Sequence, residues 1–183
     1  MVTFMLSAYV EKKLSIPSDA ITHFRGEHAC LSNFSPYQIL YNQQVWPTSE
    51  HLFQGLKTLI PSFREIIRTA ASPALAKRYG NYRTVDIQEV IDGMPVSRKV
   101  PMQREDWKDI RVKVMTYVID LKVDQHPCIA EYLVGTKNRI IIEGNTWCDN
   151  FWGNCFCDKC SSVAGENNLG KIFMQKRKKL IQG

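Results

Sequence analysis

Four carboxylates have neighbours that could support acid or base chemistry on a ligand: Glu50, Asp106, Glu143 and Asp149. Glu50 lies in the first turn of a predicted helix, Glu143 ends an apolar stretch, and the two aspartates lie close to aromatic residues. Aromatic rings stack on bases, and a carboxylate can stabilise an oxocarbenium ion or activate water. The pattern is typical of a sugar- or nucleoside-like ligand. The alternative is structural, because an acidic residue in a first helical turn often serves only the helix dipole.

Gln54 and Lys57 extend this pattern from Glu50. The three residues follow i, i+4, i+7 spacing in EHLFQGLKTLI, a predicted helix that Ser49 caps and Pro61 stops. This spacing places the three polar side chains on one helix face, where they could line a pocket. The sequence has no H-E-x-x-H, G-x-S-x-G, P-loop or dinucleotide-binding motif.

Four of the six cysteines fall within WCDNFWGNCFCDKC, residues 147–160. Cys155, Cys157 and Cys160 have C-x-C-x-x-C spacing, and Cys148 or a histidine would supply the fourth ligand of a structural zinc ion. Zinc sites usually pair two separated C-x-x-C motifs, so reduced cysteines in a plain loop are the simpler alternative. Redox catalysis is the least expected use of these thiols.

The composition is that of an ordinary globular chain, with 44% hydrophobic and 23% charged residues. No apolar run could span a bilayer, and the start MVTFMLSAYVEKK lacks the basic region and cleavage site of a signal peptide. We therefore expect a soluble, cytoplasmic protein with no membrane partner. The net charge of +6 is concentrated in KIFMQKRKKL, which indicates a solvated helix face or contact with nucleic acid.

The elements that must position these residues are mostly predicted helices. Helical periodicity and caps predict further helices at SFREIIRTAA, SPALAKRYG, REDWKDIRVKVMTYVIDLKV, PCIAEYLVG and NLGKIFMQKRKKL. In SPALAKRYG the expected cap is Ser72, with Pro73 at the first position and Gly80 as the stop, and Asn167 is the expected cap of the last helix. We expect short strands at YQIL, VW and RIIIEG, and an irregular segment over residues 81–103. The predicted fold is mainly α with a few short β-strands (α+β), in a single compact domain over residues 21–183 after an extension of residues 1–20.

The helical period also predicts which residues point into the core. In SFREIIRTAA these are Phe63, Ile66, Ile67 and Ala70. In the long helix they are Trp107, Ile110, Val114, Val118 and Leu121. Packing is therefore the expected role of Trp107 on its spacing alone.

Seven motifs occur in one order along about residues 21–180: LSNFSPYQI, WPTSEHLFQGLKT, FREIIRTAASPALAKRYG, DWKDIRVKVM, IIE, DNFWG and GENNLGKIFM. Together they resemble the YbiA-like family, also called the NADAR domain. The resemblance implies a mostly helical hydrolase, an N-glycosidase that works without a cofactor or a catalytic metal. Family members cleave the C–N glycosidic bond of phosphoribosylated aminopyrimidines, early riboflavin intermediates, and others remove ADP-ribose from a modified guanine base.

The resemblance also implies roles for residues at matching positions. Glu50 would be the central acid, with Trp107 and Asp149 as further catalytic residues. The substrate would contact Asn33, Phe34, Gln54, Lys57, Trp152, Gly153 and, as a weaker candidate, Glu143. Lys57 would hold a phosphate together with arginines such as Arg64, Arg68 or Arg78. Trp107 or Trp152 would stack on the base, and the sequence leaves open how Glu50 and Asp149 share the acid and base roles.

The expected partner is a small phosphorylated nucleoside-like molecule, or a nucleic acid that carries a modified base. A binding module for ADP-ribose or NAD-related ligands, without turnover, is one alternative. An ADP-ribose remover directed at nucleic acid is another.

Two segments depart from the plainest family pattern. NCFCDKCSSVAG replaces a glycine-rich stretch after DNFWG, where a zinc knuckle could brace the loop. The long connection over residues 81–103 leaves the specific substrate open.

Overall fold

The structure, a computed structural model, describes residues 16–160 and 162–183. It is mainly helical with a few short strands, which confirms the predicted class. The chain divides into two compact units: Asn33–Lys122, and the described residues up to Ser32 together with Val123–Gly183. Most of the predicted extension over residues 1–20 lies outside the described residues. Within residues 16–160 and 162–183, no helix combines the length and apolar character needed to cross a membrane.

The unit Asn33–Lys122 begins with a short hairpin. Strands β1 (Ile39–Tyr41) and β2 (Gln44–Trp46) lie where the sequence predicts short strands, and they pair antiparallel. Asn42 and Gln43 make the turn between them with positive φ angles of 47° and 61°. Two-residue hairpin turns favour such left-handed backbone, which asparagine tolerates well.

Three short helices follow: α1 (Ser49–Gly55), α2 (Pro61–Arg68) and α3 (Pro73–Tyr79). The cap of α3 is confirmed, because the Ser72 side chain accepts a hydrogen bond from the Leu75 N–H. The predicted cap of α1 is wrong by one residue, since Thr48 accepts the hydrogen bond from the His51 N–H. Helix α1 is also shorter than predicted: it ends at Gly55, and Pro61 begins α2 rather than stopping α1.

Helix α2 packs only part of its predicted inward face into the core. Phe63 and Ile67 are buried in a cluster with Ala76, Val85 and Met102, and Ala70 packs against this cluster from beyond the end of the helix. Ile66, also predicted to point inward, is 47% exposed. On eight residues the apolar stripe is narrow, so the neighbour of a core residue points away from the core.

We expect Ile67→Ala to lower the free energy of unfolding by about 2–5 kcal/mol, because it opens a cavity among fully packed side chains. Ile66→Ala is the matched control, and its effect should be about 0.5 kcal/mol or less. Urea denaturation followed by circular dichroism measures both. Equal losses for the two variants would contradict the placement of α2.

Residues 84–101 form a long antiparallel hairpin, so the predicted irregular segment is wrong. Strand β3 (Thr84–Ile91) pairs with β4 (Met94–Pro101) through eight consecutive residue pairs. Asp92 and Gly93 turn the chain with φ angles of 51° and 78°. Asp-Gly is a strong signal for a two-residue hairpin turn. Val85 anchors the base of the hairpin in the core cluster around Ile67.

The long helix α4 (Trp107–Gln125) is confirmed. Trp107 and Val118 are buried as predicted, whereas Ile110, Val114 and Leu121 are only half-buried. Four other residues of α4 are fully buried in their place: Met115, Ile119, Lys122 and Val123. Lys122 is accommodated because its ammonium donates to the Ser35 hydroxyl.

The other unit contains a 3-10 helix (Gly26–Leu31) and helices α5 (Pro127–Gly135) and α6 (Asn168–Gln182). RIIIEG is not the predicted strand: Ile141 makes one isolated parallel bridge to Ile21. The short strands β5 (Gly144–Asn145) and β6 (Asn154–Cys155) pair in parallel, and a 3-10 helix (Asp158–Cys160) follows. Asn167 precedes α6 as predicted, but its side chain bonds to the Glu143 N–H and the Ile141 carbonyl instead of capping the helix.

Candidate active site

Glu50 is a buried carboxyl at the start of α1. Its side chain is 5% exposed, and its backbone N–H donates to the Asn33 carbonyl at 3.0 Å. The Gln54 amide donates to Glu50 Oε1 at 2.6 Å, which confirms that these two side chains share a helix face. Burial raises the pKa of Glu50, while the Gln54 hydrogen bond and the charges of Lys77 and Lys57 oppose this rise. A carboxyl with a raised pKa can hold a proton that a reaction uses.

Lys57 supplies a buried amine near this carboxyl, although it lies two residues beyond the end of α1. The turn continues there, because the Lys57 N–H still donates to the Gln54 carbonyl at 3.2 Å. The ammonium donates to the Gly80 carbonyl at 3.3 Å and to Asn81 Oδ1 at 3.2 Å. Burial lowers the pKa of Lys57 to about 8, and the Glu50 charge acts against this effect. The amine therefore changes charge close to physiological pH.

The Trp107 ring lies beside the Lys57 ammonium. Its ring packs on Phe53 with the centroids 5.1 Å apart, and the Lys57 ammonium lies 5.7 Å and 5.8 Å from the Phe53 and Trp107 rings. Aromatic faces attract a cation and partly replace its lost hydration. Trp107 is only 5% exposed, so its ring is better placed to support Lys57 than to stack on a base.

Asn33 and Phe34 are the first two residues of the same unit, and they differ in exposure. Asn33 donates weakly to the Met115 sulfur, and its Oδ1 is buried without a hydrogen-bond partner among the described residues. Phe34 is 41% exposed, with the Lys77 ammonium 5.9 Å from its ring centroid. An exposed ring beside a cation suits a nucleotide-like ligand, because the base can stack on the ring and the phosphate can contact the cation. Sequence reasoning did not single out Lys77, which only the packing of α3 brings near Phe34.

Gln54 depends on a close approach of the backbone at Gly80. A Cβ at residue 80 would overlap the Gln54 side-chain amide, so only glycine leaves this amide room to reach Glu50. Gln54 Oε1 and the Ser49 hydroxyl are further buried polar atoms without a partner within the described part of the chain. Buried polar groups are nearly always paired, and exceptions often mark functional sites.

Three other sequence candidates of this unit have structural partners. Asp106 makes a bidentate surface pair with Arg104, at 2.5 Å and 2.8 Å. Arg64 donates to the carbonyls of Gly55 and Thr58. Arg68 pairs with Glu65 and donates to the Val45 carbonyl. These bonds direct the two arginines to neighbouring protein groups.

A second group of predicted residues lies in the other unit, in the loop between β5 and β6. Asp149 Oδ1 accepts hydrogen bonds from the N–H groups of Phe151 and Trp152, at 3.1 Å and 2.9 Å. Asn145, a residue that sequence reasoning missed, accepts from the Asp149 N–H and donates to the Asp149 carbonyl. These bonds fix both the backbone and the carboxylate of Asp149.

Trp152, Gly153 and Glu143 adjoin this loop. The Trp152 ring is half-buried and packs edge-on against Phe151, with the centroids 4.8 Å apart. A Cβ on Gly153 would overlap the Glu143 carbonyl oxygen, so the two backbone segments can approach only at glycine. The Glu143 carbonyl also accepts a hydrogen bond from the Asn154 N–H at 2.9 Å. Glu143 thus holds the loop through its backbone.

The cysteine loop is part of the same segment. The four sulfur atoms of Cys148, Cys155, Cys157 and Cys160 all lie within 4.8 Å of one another. Among the described residues, Cys148 rather than a histidine completes this group.

Two substitutions separate the charge of Asp149 from its structural bonds. The amide introduced by Asp149→Asn would keep an oxygen that accepts from the N–H groups of Phe151 and Trp152, so we expect this variant to melt within a few degrees of the parent. If Asp149 has the catalytic role that the family pattern implies, the kcat of this variant should fall about 10²-fold or more. Asp149→Ala should lose both activity and loop order, measured by amide hydrogen exchange. Full activity in Asp149→Asn would leave Asp149 a purely structural residue.

Comparison with known proteins identifies the class of this chain. Residues 22–181 match the NADAR domain, and the chain belongs to this family. The match runs through both units described above.

Three relatives align along most of the chain. The N-glycosidase YbiA of Escherichia coli is 29% identical over 168 residues, covering 90% of this chain and 91% of that protein. The N-glycosidase Npun_R5314 of Nostoc punctiforme is 30% identical, covering 84% of this chain and 86% of that protein. The riboflavin biosynthesis protein VVA0006 of Vibrio vulnificus is 31% identical, covering 84% of this chain but 36% of that longer protein.

The solution structure of E. coli YbiA has the same fold. It superposes with a TM-score of 0.69 at 28% sequence identity, covering 91% of this chain and 88% of that chain. The fold and the relatives together confirm the prediction of an N-glycosidase, a hydrolase of the NADAR family.

Proposed function

We propose that this enzyme cleaves the C–N glycosidic bond of a phosphoribosylated aminopyrimidine and that it acts in the cytoplasm. The observation that carries the proposal is that a buried carboxyl that can hold a proton, Glu50, and a buried cation, Lys57, lie near enough for each charge to affect the other's pKa. The carboxyl suits protonation of a leaving nitrogen, and the cation suits a phosphate. The name of the Vibrio relative, a riboflavin biosynthesis protein, favours the aminopyrimidine.

In the proposed reaction Glu50 acts first as an acid. The C1′–N bond breaks, its electron pair moves to the nitrogen, and the Glu50 carboxyl gives its proton to the departing base. The ribose becomes oxocarbenium-like and is attacked at C1′ by water. The Glu50 carboxylate then takes a proton from this water, which restores the acid and releases ribose phosphate.

The Gln54 amide has a positioning role in this scheme. It donates to Glu50 Oε1, which leaves the other carboxyl oxygen to carry the proton. We propose that the exposed Phe34 ring stacks on the base. Asp149 keeps the catalytic role that the family pattern implies, with its carboxylate held by two backbone N–H groups.

Two features of α6 weaken the alternative of a nucleic-acid substrate. Lys176 is mostly buried and pairs with Asp124 at 2.7 Å. Arg177 is buried and donates to the Thr136 hydroxyl and the Arg139 carbonyl. Two cations of the basic segment are thus occupied within their own unit and do not face a phosphate backbone.

The test compares two substrates in parallel: a phosphoribosylated 5-aminopyrimidine and ADP-ribosylguanine in DNA. Mass spectrometry would follow release of the free base by the parent and by Glu50→Gln. The proposal predicts release from the aminopyrimidine only, and loss of this release in Glu50→Gln. Release from the DNA substrate alone, weakened steeply by salt, would instead establish the nucleic-acid alternative. Ligand-induced thermal stabilisation without product would indicate a binding module.

A further inference from the structure

The four-cysteine cluster has the dimensions of a tetrahedral metal site. All four sulfur atoms lie within 4.8 Å of one another, and those of Cys148 and Cys157 are 3.5 Å apart. Four sulfurs at about 2.3 Å from a central zinc ion are about 3.8 Å from each other. A disulfide needs sulfurs about 2.05 Å apart, and none of these four cysteines is part of a disulfide. The spacing therefore fits a shared ion better than a pairwise bond.

Two backbone N–H groups point at the Cys155 sulfur. The Cys148 N–H lies 3.2 Å from the Cys155 sulfur, and the Cys157 N–H lies 3.5 Å from the same atom. Hydrogen bonds from neighbouring groups orient the ligands of metal sites, and these two N–H groups would orient the Cys155 sulfur in this way. Cys155 is fully buried, and a buried thiolate is costly unless a cation compensates its charge. The four neighbouring sulfur atoms could serve together as the ligands of such a cation.

We infer that Cys148, Cys155, Cys157 and Cys160 bind a zinc ion, and that this ion holds the DNFWG loop in shape. An all-sulfur tetrahedral site selects zinc or iron and disfavours magnesium or calcium, which prefer oxygen ligands. Four thiolates leave no open position on zinc, so the ion is structural and takes no part in the reaction.

Two of the proposed ligands, Cys148 and Cys155, lie at the two ends of the loop that contains Asp149. Cys148 directly precedes Asp149, and Cys155 follows Asn154, so an ion bound to both cysteines closes the segment Asp149–Asn154 into a ring. Within this ring the Cys155 N–H donates to the Asn150 side chain at 2.9 Å. The ion would reduce the conformations open to Asp149 and Trp152. The claim that zinc positions Asp149 for the reaction rests on the proposed function, because only an active enzyme would show a change in activity when Asp149 moves.

Metal analysis of the full chain, purified with reductant and without added metal, tests the zinc site. We expect about one zinc ion per chain, and at least about tenfold weaker zinc affinity in Cys157→Ser and Cys160→Ser. Cys128→Ser is the matched control, since Cys128 is an exposed thiol outside the cluster, and it should keep the parent's zinc. Cobalt titration of the parent, after zinc removal, should give the thiolate-to-cobalt absorption and strong visible bands of a tetrahedral site.

The zinc site and its ordering effect on residues 149–154 can be overturned independently of each other. The zinc site is overturned if the reduced chain holds no zinc, gives no tetrahedral cobalt spectrum and exposes all cluster thiols to a thiol reagent as fast as Cys128. Iron in place of zinc would also overturn it. Removing zinc with a chelator should lower kcat and increase hydrogen exchange in residues 149–154, and zinc should restore both. Unchanged hydrogen exchange and kcat would overturn the positioning role alone. A bound zinc ion in a chain that releases no base would count against the proposed function but not against the site.

Discussion

Replacing Glu50 with glutamine is expected to lower kcat by about 10²- to 10⁴-fold, the range that one general acid or base contributes. Glutamine has nearly the shape of the glutamic acid, but it can neither give a proton to the leaving base nor take one from water. The Gln54 amide can still donate to the oxygen of the new side chain. Because burial disfavours the charged carboxylate, a neutral amide should not lower the melting temperature by more than a few degrees.

Kinetics of base release and thermal melting of the same preparations would check this. Glu131→Gln is a suitable control, since Glu131 is exposed on α5 and its loss should leave kcat unchanged. Single-turnover measurements would show whether the bond-breaking step itself is slow. Activity within tenfold of the parent in a folded Glu50→Gln protein would remove Glu50 from the mechanism.

The local parts of this site could be predicted from the sequence. Glu50 and Gln54 are one helical turn apart, so their spacing alone brings the two side chains together. The partners of Lys57 lie more than twenty residues away along the chain, at Gly80 and Asn81. Its lowered pKa results from burial by those segments, and no local spacing encodes it. The same applies to Lys77, whose position beside Phe34 depends on the packing of α3.

Helices were easier to predict than the hairpin of residues 84–101. Ser72, Pro73 and Gly80 mark both ends of α3 by their intrinsic preferences. The hairpin has a less clear period. Strict alternation is what identifies a half-buried strand, and here Glu89 and Arg98 interrupt the alternating apolar positions while the exposed Val90 falls out of step with them. Asp92 and Gly93 were the remaining signal, and a two-residue signal is weak without alternation around it.

Lys57→Met is expected to lower kcat/KM for the phosphorylated substrate by about 10- to 100-fold, the value of one charged hydrogen bond. Methionine fills similar space beside Phe53 and Trp107 but cannot bind a phosphate. The same substrate without its phosphate should be cleaved equally well by the parent and by Lys57→Met. Lys113→Met, at an exposed lysine of α4, is the control and should behave as the parent with both substrates.

The pH dependence gives an independent test of the same residue. The pKa of Lys57 is lowered to about 8, so the free enzyme loses this positive charge as the pH rises through about 8. Because kcat/KM reports the ionisation of the free enzyme, it should fall above this pH for the phosphorylated substrate. The part of this fall that depends on Lys57 should disappear in Lys57→Met and with the substrate that lacks phosphate. An unchanged alkaline fall in Lys57→Met would assign the titration to another group, and Lys57 would then be a structural cation held by Gly80, Asn81 and the two aromatic rings.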